Sequence, residues 1–247
     1  ESIENPKLYW DNNVKGTETL LNVMQMFDCS TIIFSSTASL YGSVNSIQIR
    51  EDFKIRPNNQ YSKTKAKIEE ILFHIHSNFP NKWRIANLRY FNPIGAHPSG
   101  KLGENPKGSI DNIFPIINRV AAKLQNKLQI FGKDWGTKDG TCIRDFIHIL
   151  DLAEGHIAAL KYLLKNDSQI LVFNLGTGLG TTVLDLVKTF ERCNNIKINT
   201  TFVERREGDI ERSVADISKA REILKWQPSR NLIQMCQDGW RWQLRNS

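Results

Sequence analysis

The sequence is poor in groups that could hold a metal. Its four cysteines, Cys29, Cys142, Cys193 and Cys236, stand far apart and none belongs to a CxxC pair. That argues against a zinc site and a dithiol redox centre, and leaves free thiols in a reducing cytoplasm as the expectation. Five histidines do not repair the deficit: His74 and His76 are two apart in a stretch of helical period, so their rings diverge. No apolar run approaches the ~18 residues of a membrane span. Also missing is any block of five basic residues, although Lys and Arg outnumber Asp and Glu by 33 to 26 and the formal net charge is +7. Charge spread in this way predicts a solvated, mildly basic surface. It suits a small anionic ligand better than a nucleic acid. There are no internal repeats and no low-complexity segments.

What is present is an alternation of strand and helix patterns, over a length that can bury a substantial core. Tyr9 to Asn13 leads into a helix, with Asn12 or Asn13 as N-cap and Leu20, Leu21, Met24 and Phe27 at helical spacing. Thr31 to Ser36 reads as a β-branched strand. After a polar loop through Asn59, a second helix carries Ile68, Ile71, Leu72, Ile75 and Phe79 on one face, and Pro80 closes it. A strand follows from Arg84 to Asn92. The loop after it holds Gly95, Gly100, Gly103 and Gly108, and such a loop is where open α/β sheets bind ligands. Further on come a helix over Asn112 to Leu124 and a strand over Leu128 to Gly132. A helix capped by Asp151 runs to Leu164, then a strand over Leu171 to Leu175 and a helix over Thr182 to Phe190. Helices over Ser218 to Leu224 and Leu232 to Leu244 complete the chain. A composition shift near Gly95 marks the start of a smaller, loop-rich region.

One stretch carries chemistry. The apolar run from Ile32 ends in the hydroxyls of Ser35, Ser36 and Thr37, and Tyr61 stands four residues before Lys65 at the start of the second helix. Residues four apart on a helix face the same way. A free phenol titrates near 10, so bringing it to 7 requires about 3 units, or roughly 4 kcal/mol. A neighbouring ammonium favours phenolate, and a bound cationic ring could supply what one lysine does not. Thr37 could then share the proton of a substrate hydroxyl with Tyr61. Taken alone, Tyr and Lys at this spacing are as well explained by a solvated helix face.

Longer motifs decide the matter. Asn12 to Thr17 (NNVKGT), Phe34-Ser35-Ser36-Thr37, Tyr61-Ser62-Lys63-Thr64-Lys65, Leu88 to Gly100 (LRYFNPIGAHPSG), Arg144 to His148 (RDFIH) and Arg205 to Asp209 (RREGD) together resemble the extended short-chain dehydrogenase/reductase family. Within it they are similar to the UDP-glucose (UDP-galactose) 4-epimerases. The resemblance covers nearly the whole chain, and FNPIGAHPSG and RREGD are its specific motifs. It implies an NAD-dependent isomerase of carbohydrate metabolism that takes a UDP-hexose through a 4-keto intermediate. Tyr61 would be the base, Lys65 would tune it and Thr37 would bridge. It further implies Asn12, Ser35, Tyr61, Lys65 and Tyr90 at the cofactor. At the substrate it implies Thr37, Phe91, Asn92, Asn112, Phe131, Arg144, Arg206, Asp209 and Ser213. Arg144 and Arg206 resemble diphosphate binders, which suits paired guanidiniums. Ser213 aligns with a gate that is bulky in strict UDP-glucose/galactose enzymes, so 2-N-acetyl sugars are expected to enter. Phe146 replaces a usual Tyr, a packing change. A homodimer through the first two helices is implied as well.

The resemblance also defines two absences. The related 4,6-dehydratases place Asp-Glu after the Thr; here Ala38-Ser39 removes that acid/base pair. The family opens with a strand, a GxxGxxG turn and a helix that seat the pyrophosphate, and nothing before Asn12 can do so. Gly176-Thr177-Gly178-Leu179-Gly180 lacks the third glycine of that spacing and is read as a structural turn. The expectation is an α/β chain with a partial Rossmann-type parallel sheet whose first strands are missing, over residues 1–93. A UDP-sugar region over 94–247 would return some segments to it. A piece of this kind would hold NAD poorly and expose an apolar edge at Thr31 to Ser36. The rival reading is a nucleotide-sugar-binding module without catalysis.

Overall fold

The computed structural model describes residues 5–44, 46–106, 110, 112–206 and 208–246; Gly108 and Glu207 of the motifs above lie outside them. The helices are α1 (Pro6–Trp10), α2 (Gly16–Met26), α3 (Gln60–Asn78), α4 (Ile113–Ala121), α5 (Ile149–Lys165), α6 (Val183–Asn194), α7 (Ser218–Leu224) and α8 (Leu232–Asn246). The strands are β1 (Thr31–Thr37), β2 (Arg84–Tyr90), β3 (Asn92–Ile94), β4 (Leu128–Phe131), β5 (Ile143–Arg144), β6 (Phe146–His148), β7 (Gln169–Leu175), β8 (Thr181–Thr182), β9 (Thr200–Val203) and β10 (Arg212–Ser213). The chain divides into two compact units. One holds residues 1–91, 154–175 and 216–226, the other 92–153, 176–215 and 227–247.

The first unit is built on a three-stranded parallel sheet in the order β1-β2-β7. Its register sets Ser36 opposite Arg89 and Thr37 opposite Tyr90. Ile85, Ala86 and Leu88 of the central strand are buried, whereas Ile32, Ile33 and Phe34 of β1 are only half-buried. Among the described residues β1 has no strand on its other side, so the expected open edge is there. α3 starts where a capping box closes its first turn: the Asn59 side chain accepts from Ser62 N at 2.8 Å and Ser62 Oγ accepts from Asn59 N at 3.2 Å. Its Ile68 and Leu72 pack with Val14, Leu21, Trp83 and Ile85.

Two expectations fail here. Asn12 and Asn13 do not cap a helix, because Pro6 starts it earlier and the backbone runs on through a π-helical Asp11–Lys15 into α2. Asn13 instead donates to Thr64 Oγ1 at 3.2 Å. Of the apolar residues on that helix only Leu21 is buried, while Leu20 and Phe27 stand out in solvent.

Among the described residues the second unit contains three small sheets, β10-β5-β8, β3-β6 and β4-β9. Its core gathers Phe114, Ile117, Leu128, Ile130, Leu186, Phe190, Met235 and Cys236. The strand expected to run to Asn92 breaks at Phe91: Phe91 N bonds Leu175 O, Asn92 N bonds Asp145 O, and β3 joins a different sheet. Asp151 is no cap either. It is fully buried inside the first turn of α5, and its carboxylate accepts from Arg230 N at 3.1 Å and Arg230 Nη1 at 2.5 Å. Nor are all four thiols apart, since Cys236 on α8 is in the core and Cys193 on α6 packs against the same cluster.

Candidate active site

Alternation along β1 sends successive hydroxyls to opposite faces of the sheet. Ser36 points towards α3, where its Oγ donates to Glu69 Oε1 at 2.6 Å. Ser35 Oγ accepts from Tyr90 OH at 2.7 Å, and that phenol also lies against His156 Nε2. Thr37 ends the strand, with Oγ1 accepting from Ser39 N at 3.2 Å and 2.9 Å from Ser39 Oγ. In the first turns of α3, Lys65 Nζ donates to Ser35 O at 3.0 Å and lies 5.7 Å from the centre of the Tyr61 ring. It also sits 4.9 Å over Phe34. Tyr61, Lys65, Ser35, Thr37 and Tyr90 thus gather around the carboxyl end of β1. Asn12 lies exposed in the π-helical turn.

The titration of this set differs from the expectation. Burial, then the Tyr9 phenol, push Tyr61 above the ordinary tyrosine value, and burial holds Lys65 below the ordinary lysine value. Lys65 bonds the Ser35 carbonyl and not the phenol, its Nζ standing 5.7 Å from the ring centre, so it does not offset the burial of Tyr61. Further positive charge is required to make Tyr61 a base at neutral pH.

Beneath the set lies a buried network that the motifs did not reveal. Arg89 donates to both oxygens of Glu69, from Nε at 3.0 Å and Nη2 at 2.6 Å. Arg89 Nη1 also donates to Tyr41 OH at 2.9 Å, and Tyr41 OH donates to Asn174 Oδ1 at 2.6 Å. Burial opposes the Arg89 charge, but the Glu69 carboxylate more than offsets it and its pKa is raised. The buried Tyr41 phenol is pushed up to about 12. The sequence held one signal for this: Glu69 follows Lys65 by four, as Lys65 follows Tyr61. Arg89 could be found only through the β1–β2 register.

In the second unit Asn92, Asn112, Phe131, Arg144, Arg206 and Asp209 all line one cleft, with about 720 Å³ of empty space, part of it open solvent. The Arg206 guanidinium stacks on the Phe131 ring at 3.7 Å. Arg144 donates to Ile210 O at 2.8 Å and approaches Asp209 Oδ1 to 3.7 Å. Asn112 Nδ2 donates to Glu104 Oε1 at 3.0 Å. Phe146 is buried in the wall. Ser213 is buried opposite Arg144 in β10 and does not line the cleft, and Phe91 packs in the first unit. The glycine-rich turn is already occupied. Asp145 Oδ1 accepts from Thr177 N at 2.7 Å, and Asp145 Oδ2 accepts from Gly178 N at 2.9 Å and Ala215 N at 3.1 Å.

The profile of the GDP-mannose 4,6 dehydratase family matches residues 1–239. UDP-glucose 4-epimerase 1 of Oryza sativa subsp. japonica is 44% identical over 248 residues, covering all of this chain and 70% of the relative. Among solved structures, UDP-glucose 4-epimerase from Stenotrophomonas maltophila, with bound NAD and formylated UDP-arabinopyranose, superposes with a TM-score of 0.96 at 38% identity. It covers 99% of this chain and 72% of that one. The enzyme from Bifidobacterium longum in complex with NAD+ and UDP gives 0.93 at 39% identity, with the same coverage of 99% and 72%.

Proposed function

This chain belongs to the GDP-mannose 4,6 dehydratase family and, within it, to the UDP-glucose 4-epimerases, and from that premise we propose that it inverts C4 of a UDP-hexose with NAD as resident cofactor. The observation that carries the reading is the gathering of Tyr61, Lys65, Ser35 and Thr37 at the end of a parallel strand. This donor set fits the nicotinamide-ribose end of NAD, with Asn12 and Tyr90 as further contacts, because Lys65 can exchange a carbonyl partner for ribose hydroxyls. NAD, when bound, supplies the hydride acceptor and donor for C4. Tyr61 takes and returns the proton of the 4-hydroxyl, Thr37 shares it through a hydrogen bond, and Lys65 keeps positive charge beside the phenol. Arg144 and Arg206 bind the diphosphate, Phe131 the uracil, Asp209 the uridine ribose, and Asn92 and Asn112 the sugar side. Ala38 and Ser39 favour epimerisation over dehydration.

The 247 residues by themselves are a poor catalyst in this reading, since no GxxGxxG turn is among them. The test therefore has two arms. Titrating UDP into the chain should show binding that Arg144→Ala and Arg206→Ala weaken. Joining the chain to the GxxGxxG-bearing segment of an epimerase relative should give UDP-galactose turnover that Tyr61→Phe removes. UDP binding with no turnover in the joined protein supports the non-catalytic module instead. Acceptance of UDP-GalNAc, which the resemblance at Ser213 implies, is read in the same assay; Ser213 itself is buried in β10, so refusal of that sugar would follow from its position. Exposed Leu20, Val23, Met26 and Phe73 on α2 and α3 support a homodimer, which light scattering checks. A cytoplasmic location is supported by the free thiols, among them exposed Cys29. No helix among the described residues is long and apolar enough to cross a membrane.

A further inference from the structure

Tyr61, Lys65 and Glu69 follow one another at intervals of four along α3, so they rise along a single face of the helix. The first two face the end of β1. The third is buried, with only 7% of its surface exposed, and meets Arg89 of β2, which is 3% exposed. Both Glu69 oxygens are engaged, by two nitrogens of Arg89 and by Ser36 Oγ. Arg89 is fixed in turn by Tyr41 OH and by Glu51 O at 3.2 Å, and Tyr41 by Asn174, whose Nδ2 reaches Ile49 O at 2.8 Å. Ser36 is the residue between Ser35, whose carbonyl holds Lys65, and Thr37. The network therefore ties α3 to the strand end one residue from each of them.

A buried ion pair is a weak source of stability, since apolar residues of similar volume often replace it without loss. What it does impose is direction, because the bidentate fork admits one geometry. We propose that Glu69 and Arg89, with Ser36, are positioning residues that fix the rotation and height of α3 so that Lys65 and Tyr61 meet the end of β1. The proposal rests on the reading of Thr37, Tyr61 and Lys65 as the reacting set. Neither Glu69 nor Arg89 touches the reacting atoms.

The test reads the place of Lys65 without NAD or sugar. The chain is acylated on its lysines over a series of pH values, and mass spectrometry gives the rate constant of the free amine at Lys65, corrected for its protonation, relative to Lys63, exposed on the same helix. In the parent, Lys65 is protected by burial and by the Ser35 carbonyl. The Glu69→Met/Arg89→Met double variant should keep a parent-like melting temperature while the ratio rises about five-fold, the worth of one hydrogen bond. Ser36→Ala removes a single hydrogen bond at little risk to folding and should raise the ratio about two-fold. A folded variant whose ratio stays at the parent value overturns the proposal, and if the double variant fails to fold, Ser36→Ala decides alone. Failure of the epimerase reading shows up separately, as absent turnover in the joined protein while the variants still raise these ratios as expected.

Discussion

The Arg206 guanidinium lies 3.7 Å over the Phe131 ring and both residues line the cleft, so in the proposed reading one residue both backs the uracil and offers an N–H fork to the diphosphate. Lysine cannot do both, being a point charge without a plane. Arg206→Lys should weaken UDP binding about ten-fold by calorimetry; parent affinity would remove the diphosphate role. A second prediction concerns His148, which is fully buried, accepts from Leu150 N through Nδ1 and lies 3.3 Å from Asp238. Burial, partly offset by Asp238, lowers its pKa. The folded state thus binds the proton less readily than the unfolded chain. Stability is complete above the ordinary value near 6.5 and falls as pH drops through the folded value, by up to about 1.4 kcal/mol per pH unit. Melting temperatures between pH 8 and 5 should show that limb, and His148→Asn should flatten it. At this scale the sequence yielded Tyr61, Lys65 and Arg206 from spacing and motif. It could not yield the direction of the Tyr61 shift, which is set by burial and then by the Tyr9 phenol. Nor could it yield Arg89, which is paired through a strand register.

Elements were legible where their ends carry their own chemistry. Asn59 with Ser62 starts α3, and Thr182 caps α6 by accepting from Asp185 N. They were misread where a tertiary partner intervened: Asp151 looks like a cap but is claimed by Arg230, and the strand through Phe91 breaks because Asn92 joins β6. The packing of α8 on α4 turns on Gly239, where an added Cβ would lie 2.2 Å from Phe114 Cε1. Alanine favours a helix over glycine by about 1 kcal/mol. A contact that close outweighs this, since overpacking costs about 1–3 kcal/mol. Gly239→Ala should therefore lower the urea midpoint, and an equal or higher midpoint would show that the ring moves aside freely.

At the scale of the molecule, the sequence suggested a sheet-based region and a loop-rich one. The structure interleaves them, because segments 154–175 and 216–226 belong to the first unit. The resemblance implied such returns, but no local pattern marks which segments make them. The 247 residues contain no GxxGxxG turn, and β1 has an open edge among the described residues. The purified chain should therefore come without bound NAD, and added NAD should bind weakly in equilibrium dialysis. Stoichiometric nucleotide surviving purification would refute this. One further consequence comes from Asp145. Its carboxyl group is a tethered acceptor seated on the amides of Thr177, Gly178 and Ala215. Its effective concentration there is set by the fold, on the order of mM or above. A free phosphate at cellular levels would have to displace a competitor that never diffuses away. Phosphate-induced changes in the second unit should therefore vanish with Arg144 and Arg206, and leave the glycine turn silent.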